Sequence, residues 1–255
     1  MEQPILKVDN LTKLFTRKGQ PDFAAVDHIS FDLMPGECLG LIGESGSGKT
    51  TVVNMITRLV DATEGSVILD GDDILKMSGR ELRRAYRKMQ MVFQTPTDSF
   101  DPRCTLGDGI GESLRNSGMS RAETKIEVAR LLTECGLTPE FAERYPHEVS
   151  GGQCQRAAIA RALAIKPKLL VCDEATSSLD VTIQKEIIAL LNELRTQHGA
   201  ELSILFICHD IALVQQFCNR VLVLYRGKIV EQGIPYEIIR DPRDEYTKRL
   251  IDSIL

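Results

Sequence analysis

Apolar residues fall along this chain in two rhythms. Short unbroken runs occur at "CLGLIG" (Cys38–Gly43), at Leu169–Cys172 and at "LSILFIC" (Leu202–Cys208). Runs of that length suit strands buried on both faces of a parallel sheet. Between them the spacing changes to that of helices. In "GKTTVVNMITRLV" (Gly48–Val60) the apolar set is Val52, Val53, Ile56, Leu59 and Val60. In Val181–His198 it is Ile183, Ile187, Leu190, Leu191 and Leu194, all on one face. The N-terminal segments "ILKV" and "HISFDLM" alternate over a few residues, as strands of an antiparallel sheet do. From Thr95 to Ile165 strand signals vanish, and "LGDGIGESLRNSG" and "RAETKIEVARLLTECG" read as helices. The pattern predicts an α/β protein in which strand and helix alternate. An antiparallel β subdomain precedes the core, and an α-helical subdomain is inserted into it.

Composition removes several function classes. The formal net charge is −5, with no basic stripe, which argues against nucleic acid as a partner. The longest apolar run is too short to span a bilayer, and "MEQPILKVDN" lacks the basic start and apolar core of a signal peptide. The expected location is therefore the cytoplasm. Seven cysteines include no C-x-x-C pair or metal-ligand spacing, so they read as small, mostly buried hydrophobes.

The strand-to-helix junction holds the first candidate chemistry. "GESGSGKTT" (Gly43–Thr51) contains Gly-x-x-x-x-Gly-Lys-Thr between a buried strand and a helix, the context that defines a phosphate loop. The core is thus expected to be that of a phosphate-loop NTPase. Gly43, Gly46 and Gly48 let the backbone curl so that its N–H groups face phosphate oxygens. Lys49 can reach the β- and γ-phosphates, and Thr50 can ligate Mg²⁺. Ser45 and Thr51 complete the expected nucleotide-binding set.

Two further stretches extend the site. After Leu169–Cys172 come Asp173 and Glu174. A carboxylate at that strand end can hold Mg²⁺ beside a phosphate loop, and the next one can take a proton from an attacking water. The pair therefore argues for hydrolysis and not binding alone. In "VSGGQCQRAAIARAL" (Val149–Leu163), Ser150 is a good N-cap and a helix-forming run follows. Gly151 and Gly152 leave first-turn N–H groups unshielded, so an anion can sit on this helix end. A chain with one nucleotide in its phosphate loop needs no second anion site of its own. The economical reading is that this face covers the γ-phosphate bound by another copy.

With those motifs in place, the chain from about Ile5 onward resembles the ATP-binding subunit of an ABC transporter. "VSGGQ" is similar to the family signature, with Val149 where Leu is commoner, and the resemblance assigns Ser150, Gly151, Gly152 and Gln153 to the nucleotide. It also implies that Phe15 stacks on adenine and that Gln94 in "VFQ" serves the metal and the catalytic site while linking them to membrane subunits. "SSLD" (Ser177–Asp180) would cross a dimer interface, and His209 in "FICHD" would contact the γ-phosphate. One domain results, residues 1–94 and 166–255 forming the nucleotide-binding core and 95–165 the helical subdomain. Phe100 and Arg103, just past Gln94, are expected at the surface where a membrane partner would dock.

"VCDEATSSLDVTIQKEIIALL", "FQTPTDSFDPRCTLGDGI" and the tail "DPRDEYTKRLIDSIL" look like the oligopeptide and dipeptide importer branch. That resemblance implies ATP and Mg²⁺ as cofactors, and a homodimer or a heterodimer with a related ATPase subunit. It also implies transmembrane permease subunits, an indirect link to a substrate-binding protein, and a place on the inner face of the cell membrane. Some members of the branch carry a C-terminal cysteine cluster for iron–sulfur. No cysteine follows Cys218, so no cluster is expected. Two functions stay open: an ATPase driving import of peptide-like or related small substrates, and the ATPase component of a soluble, non-transport complex.

Overall fold

The computed structural model describes residues 3–16, 22–176 and 179–252. Strands β1 (Leu6–Phe15), β2 (Phe23–Leu33) and β3 (Cys38–Ile42) lead into helix α1 (Lys49–Ile56), followed by β4 (Glu64–Leu69) and β5 (Asp72–Asp73). Helix α2 (Gly79–Lys88) enters β6 (Met89–Val92), after which come α3 (Leu106–Asn116), α4 (Arg121–Glu134) and α5 (Gly151–Leu163). The remainder alternates: β7 (Leu169–Asp173), α6 (Val181–His198), β8 (Ser203–Ile207), α7 (Ile211–Phe217), β9 (Arg220–Tyr225) and β10 (Lys228–Gly233). Helices α8 (Pro235–Arg240) and α9 (Glu245–Asp252) end the described chain.

Two sheets result, in the orders β2-β1-β4-β5 and β10-β9-β3-β8-β7-β6. The first is antiparallel. In the second, the strands from β9 to β6 run parallel, and β10 is an antiparallel edge.

The apolar runs divide between two cores at a period of two, as a doubly covered sheet requires. Cys38 and Ile42 of β3, Leu170 and Cys172 of β7, and Ile204 and Phe206 of β8 face α5, α6 and α7. Their alternates, Leu39, Leu41, Leu169, Val171, Leu205 and Ile207, join Val52, Val53, Met55 and Ile56 of α1 beneath the antiparallel sheet. The first core runs without a break into α3, α4 and α5, so the inserted helices share apolar packing with the sheet. Six of the seven cysteines are buried, as expected, and Cys104 is exposed.

Two expectations need correcting. The helix after the phosphate loop stops at Ile56, short of Val60. Arg58 takes a left-handed φ of 59°, and the Leu59 and Val60 amides both turn back to the Asn54 carbonyl. Leu59 is therefore 60% exposed and takes no part in the apolar face. Phe100 is the second. It is only 6% exposed, within the first core, its ring under the Arg161 guanidinium at 5.2 Å. Gly109 makes room for it, because a Cβ there would lie 2.6 Å from the ring. Arg103 is exposed, as expected, in a bidentate pair with Asp101.

Phe100→Ala should thus act on stability, costing about 3 kcal/mol or more in urea unfolding through the cavity it leaves. Arg103→Ala should leave the unfolding midpoint where it is.

Candidate nucleotide-binding site

The loop between β3 and α1 emerges from the middle of the parallel sheet, and its glycines answer to close contacts. A Cβ on Gly43, whose φ is +155°, would lie 2.2 Å from the Leu224 carbonyl oxygen of β9. One on Gly48, at φ +110°, would lie 2.5 Å from the Ala25 oxygen of β2. The turn after β9 braces the loop as well, Gly227 N–H donating to the Ser47 carbonyl at 2.8 Å.

Lys49 is the most constrained side chain here. It is 5% exposed, and its Nζ donates to the Gly43 carbonyl at 2.7 Å and to the Glu44 carbonyl at 3.0 Å. Burial lowers its pKa, against the opposing charges of Glu174 and Asp173. An ammonium group held by two uncharged acceptors in a dry setting is ready to exchange them for charged phosphate oxygens.

Facing the loop is a cavity of ≈ 700 Å³ lined by Phe15, Phe23, Ala25, Ser45, Gly46, Gly48, Lys49, Thr50, Thr51 and Glu174. The structure so brings together Phe15, all six of the loop positions assigned from sequence besides Gly43, and the candidate base; among them Gly48 closes the loop as the N-cap of α1. Phe23, which sequence reading did not single out, pairs with Phe15 across the β1–β2 register. The two rings are 42% and 64% exposed, and Lys13 Nζ sits 5.2 Å from the Phe15 centroid. Exposed aromatics at a cavity mouth offer flat apolar faces to a planar base.

Asp173 ends β7 and Glu174 follows it with φ 47°, a left-handed conformation uncommon outside glycine. The Glu174 N–H is bonded to the Ile207 carbonyl of β8 at 3.1 Å, which fixes that turn. Asp173 Oδ1 is buried and makes no hydrogen bond. Burial, then the neighbouring charge of Glu174, push its carboxyl up to about 6, with Lys49 acting against them. An orphaned, desolvated carboxylate oxygen fits a hard divalent cation. Gln94 lies exposed two residues beyond β6, whose Val92 is in register with Cys172. His209 is exposed two residues beyond β8, whose Ile207 is in register with Asp173. Both project from the carboxyl edge that carries Asp173 and Glu174, and neither lines the cavity.

The signature residues stand apart from that cavity. Ser150 caps α5 in a reciprocal box: its hydroxyl accepts from the Gln153 N–H at 3.3 Å, and Gln153 Oε1 accepts from the Ser150 N–H at 2.9 Å. Gln153 is thus engaged locally, while Gly151 is exposed and Gly152 buried. A Cβ on Gly152 would lie 2.6 Å from Ile183 of α6, whereas one on Gly151 meets only Leu179, at 3.4 Å. Ser177 and Ser178 of the expected interface loop lie outside the described residues. Asp180 caps α6 through the Ile183 N–H.

Comparison with known proteins agrees with this geometry. A putative peptide import ATP-binding protein of Brucella ovis is 42% identical over 254 residues, which is 99% of this chain and 79% of that protein. The oligopeptide transport ATP-binding protein OppF of Haemophilus influenzae is 42% identical over 250 residues, 97% of this chain and 74% of its own length. The glutathione import ATP-binding protein GsiA of Pectobacterium atrosepticum is 44% identical over 259 residues, and the match spans 41% of it. Among solved structures, the ATP-binding cassette MJ0796, a dimer in a post-hydrolysis state bound to ADP and Pi, superposes with a TM-score of 0.81 at 30% identity. That match covers 90% of this chain and 98% of the cassette. The sequence pattern of the ABC transporter family matches residues 26–177. With the phosphate loop, the carboxylate strand and the capped signature helix on one scaffold, the chain belongs to the ABC transporter family.

Proposed function

We propose that the chain is the ATP-hydrolysing subunit of an importer. Two cassettes close around MgATP and drive passage of peptide-like or related small substrates through a membrane permease. One observation carries the reading: phosphate loop, aromatic pair and Glu174 meet in a single cavity that no signature residue lines. A site complete but for its γ-phosphate cover calls for a second cassette, the same chain or a related one. The names of the relatives favour import of peptides or glutathione over the ATPase of a soluble complex. The permease would dock near Gln94, and a substrate-binding protein would act through it from the other side. Among the described residues no helix is long and apolar enough to cross a membrane. Like the import ATP-binding proteins it is similar to, the chain would meet the permease peripherally, from the cytoplasmic face. The same reading divides the chain into a core (1–94 and 166–255) and a helical arm (95–165).

In this mechanism the Gly43–Thr51 backbone and Lys49 hold the phosphates, and Phe15 with Phe23 holds the base. Asp173, Thr50 and Gln94 are the residues that would hold Mg²⁺, which when bound neutralises charge on the β- and γ-phosphates. Glu174 receives the proton of the attacking water, its position fixed by the bond to β8. His209 donates to the γ-phosphate from the next strand. Ser150 and the Gly151 and Gly152 amides of the partner cassette cover the far side of the same phosphate.

Glu174→Gln should keep ATP binding but lower steady-state phosphate release by roughly 10² or more, and an ATP-bound dimer should accumulate on gel filtration. Near-normal turnover would remove Glu174 from the role of base.

A mixing experiment tests the shared site. Lys49→Ala damages the phosphate loop, and Gly151→Asp sets a negative charge where the γ-phosphate must sit. The fold accepts the second change, because the space above Gly151 is open to ordinary contact. Each homodimer should be nearly inactive. In mixed dimers both lesions fall at one site, so activity should partly return, rising steeply with protein concentration. If the natural partner is a related chain, that subunit replaces one of the pair. A single variant that stays fully active as a monomer would sink the composite site.

A further inference from the structure

The most C-terminal described helix reaches back to the phosphate loop. Tyr246 of α9 is 3% exposed, and its phenol oxygen accepts the Glu44 N–H at 2.8 Å. Its ring stacks on Tyr225 at the end of β9, with centroids 4.0 Å apart and planes 21° from parallel. Helix α9 is itself anchored: the Arg243 and Asp244 amides donate to the Glu231 carboxylate of β10 at 3.0 and 3.1 Å. Its own Thr247, Leu250 and Ile251 are buried. The hydroxyl is therefore presented to the loop from a fixed platform.

Two side chains grip the Glu44 backbone. Tyr246 holds its N–H, and Lys49 Nζ holds its carbonyl at 3.0 Å along with that of Gly43. These grips differ in what happens when a nucleotide enters. Lys49 has to leave both carbonyls to reach the β- and γ-phosphates, whereas the Tyr246 bond lies outside the cavity and need not change. From then on Tyr246 is the side-chain contact that holds Glu44, beside the Ser47 N–H that donates to the Glu44 carbonyl at 3.1 Å within the loop itself. We propose that Tyr246 is a positioning residue for nucleotide binding, through which the C-terminal helix sets the shape of the phosphate loop and hence its affinity for ATP. The inference rests on the reading of Gly43–Thr51 as the nucleotide site.

Y246F removes the hydroxyl and keeps the stacked ring. In the nucleotide-free protein Lys49 still holds the loop, so the melting temperature should shift by no more than about 5 °C. ATP affinity, measured by calorimetric titration with MgATP on the intact chain, should fall about three- to tenfold, as expected for one lost hydrogen bond. KM for ATP should rise with it, while kcat at saturation changes by less than about twofold. Amide exchange in the peptide containing Glu44 should quicken in Y246F. Y225F removes a hydroxyl from the other ring of the stack and should leave affinity and exchange unaltered. Lys49→Ala is the separate control: if it binds ATP as well as wild type, the nucleotide site itself has been misplaced. If Lys49→Ala loses binding but Y246F keeps wild-type affinity, the role given to Tyr246 is wrong. A far larger melting shift in Y246F overturns it too, because the hydroxyl would then be holding the fold and not the loop.

Discussion

The carbonyl oxygen of Leu224 stands where a side chain at position 43 would have to go, 2.2 Å from its Cβ. That approach lets the chain leave β3 and turn within a few residues into α1, and much of the site follows from it. Because β3 lies between β9 and β8 at the centre of the sheet, the loop is pressed from one flank by β9 and from above by Ala25 of β2. The carboxyl ends of β8 and β7 lie on its other flank, bringing Glu174 into the same cavity. The antiparallel sheet thus does more than cover a core: it supplies Phe15, Phe23 and Ala25 to one wall. Ligands in open α/β sheets sit at the carboxyl ends of the strands for this reason.

Charge in the site is arranged for exchange and not for rest. Lys49, Asp173 and Glu174 act on one another across little solvent, and the cation is bonded to the Gly43 and Glu44 carbonyls. With its carboxyl pushed up to about 6, Asp173 favours the protonated form more in the folded chain than in the unfolded one. Its contribution to folding stability is complete below the ordinary carboxylate range and is lost as pH rises through about 6. At neutral pH that carboxylate is a liability to the isolated fold, which a divalent cation beside it would reverse. A second cost, in the backbone, appears in the left-handed φ of Glu174, held by its bond to β8.

What sequence reading could reach followed from range. The phosphate loop, the carboxylate strand and the Ser150 cap depend on residues within a few positions of each other, and the structure places each on its expected element. Helix α6 was legible to its end residues because Asp180 caps its start, its apolar stripe runs to Leu194 and Gly199 ends it. Leu59 misled because helical spacing does not register the turn that Arg58 makes. Phe100 looked like a surface residue because the groove that takes it is built by Gly109 and by Arg161, 61 positions away, which also donates to the Ser99 carbonyl. Phe23 could have been found as an aromatic in an otherwise small and polar strand start. Tyr246 had no local signal at all, since its partner lies 202 positions earlier.

The two glycines of the signature show how one motif serves both packing and recognition. Gly152 is buried, and the Ile183 methyl group occupies the space a Cβ would need. Any side chain there would push α6 off α5. Gly151 carries no such constraint, being exposed with room for a Cβ against Leu179. Folding of this chain gives no reason for glycine at that position, so the reason must lie outside the chain. A bare backbone at a capped helix start, next to the segment that leads into α6, suits close approach by an anion or by another backbone. The first cavity already provides for one nucleotide. Under the proposed function, the bare backbone at Gly151 is the feature of this sequence that a second cassette would use.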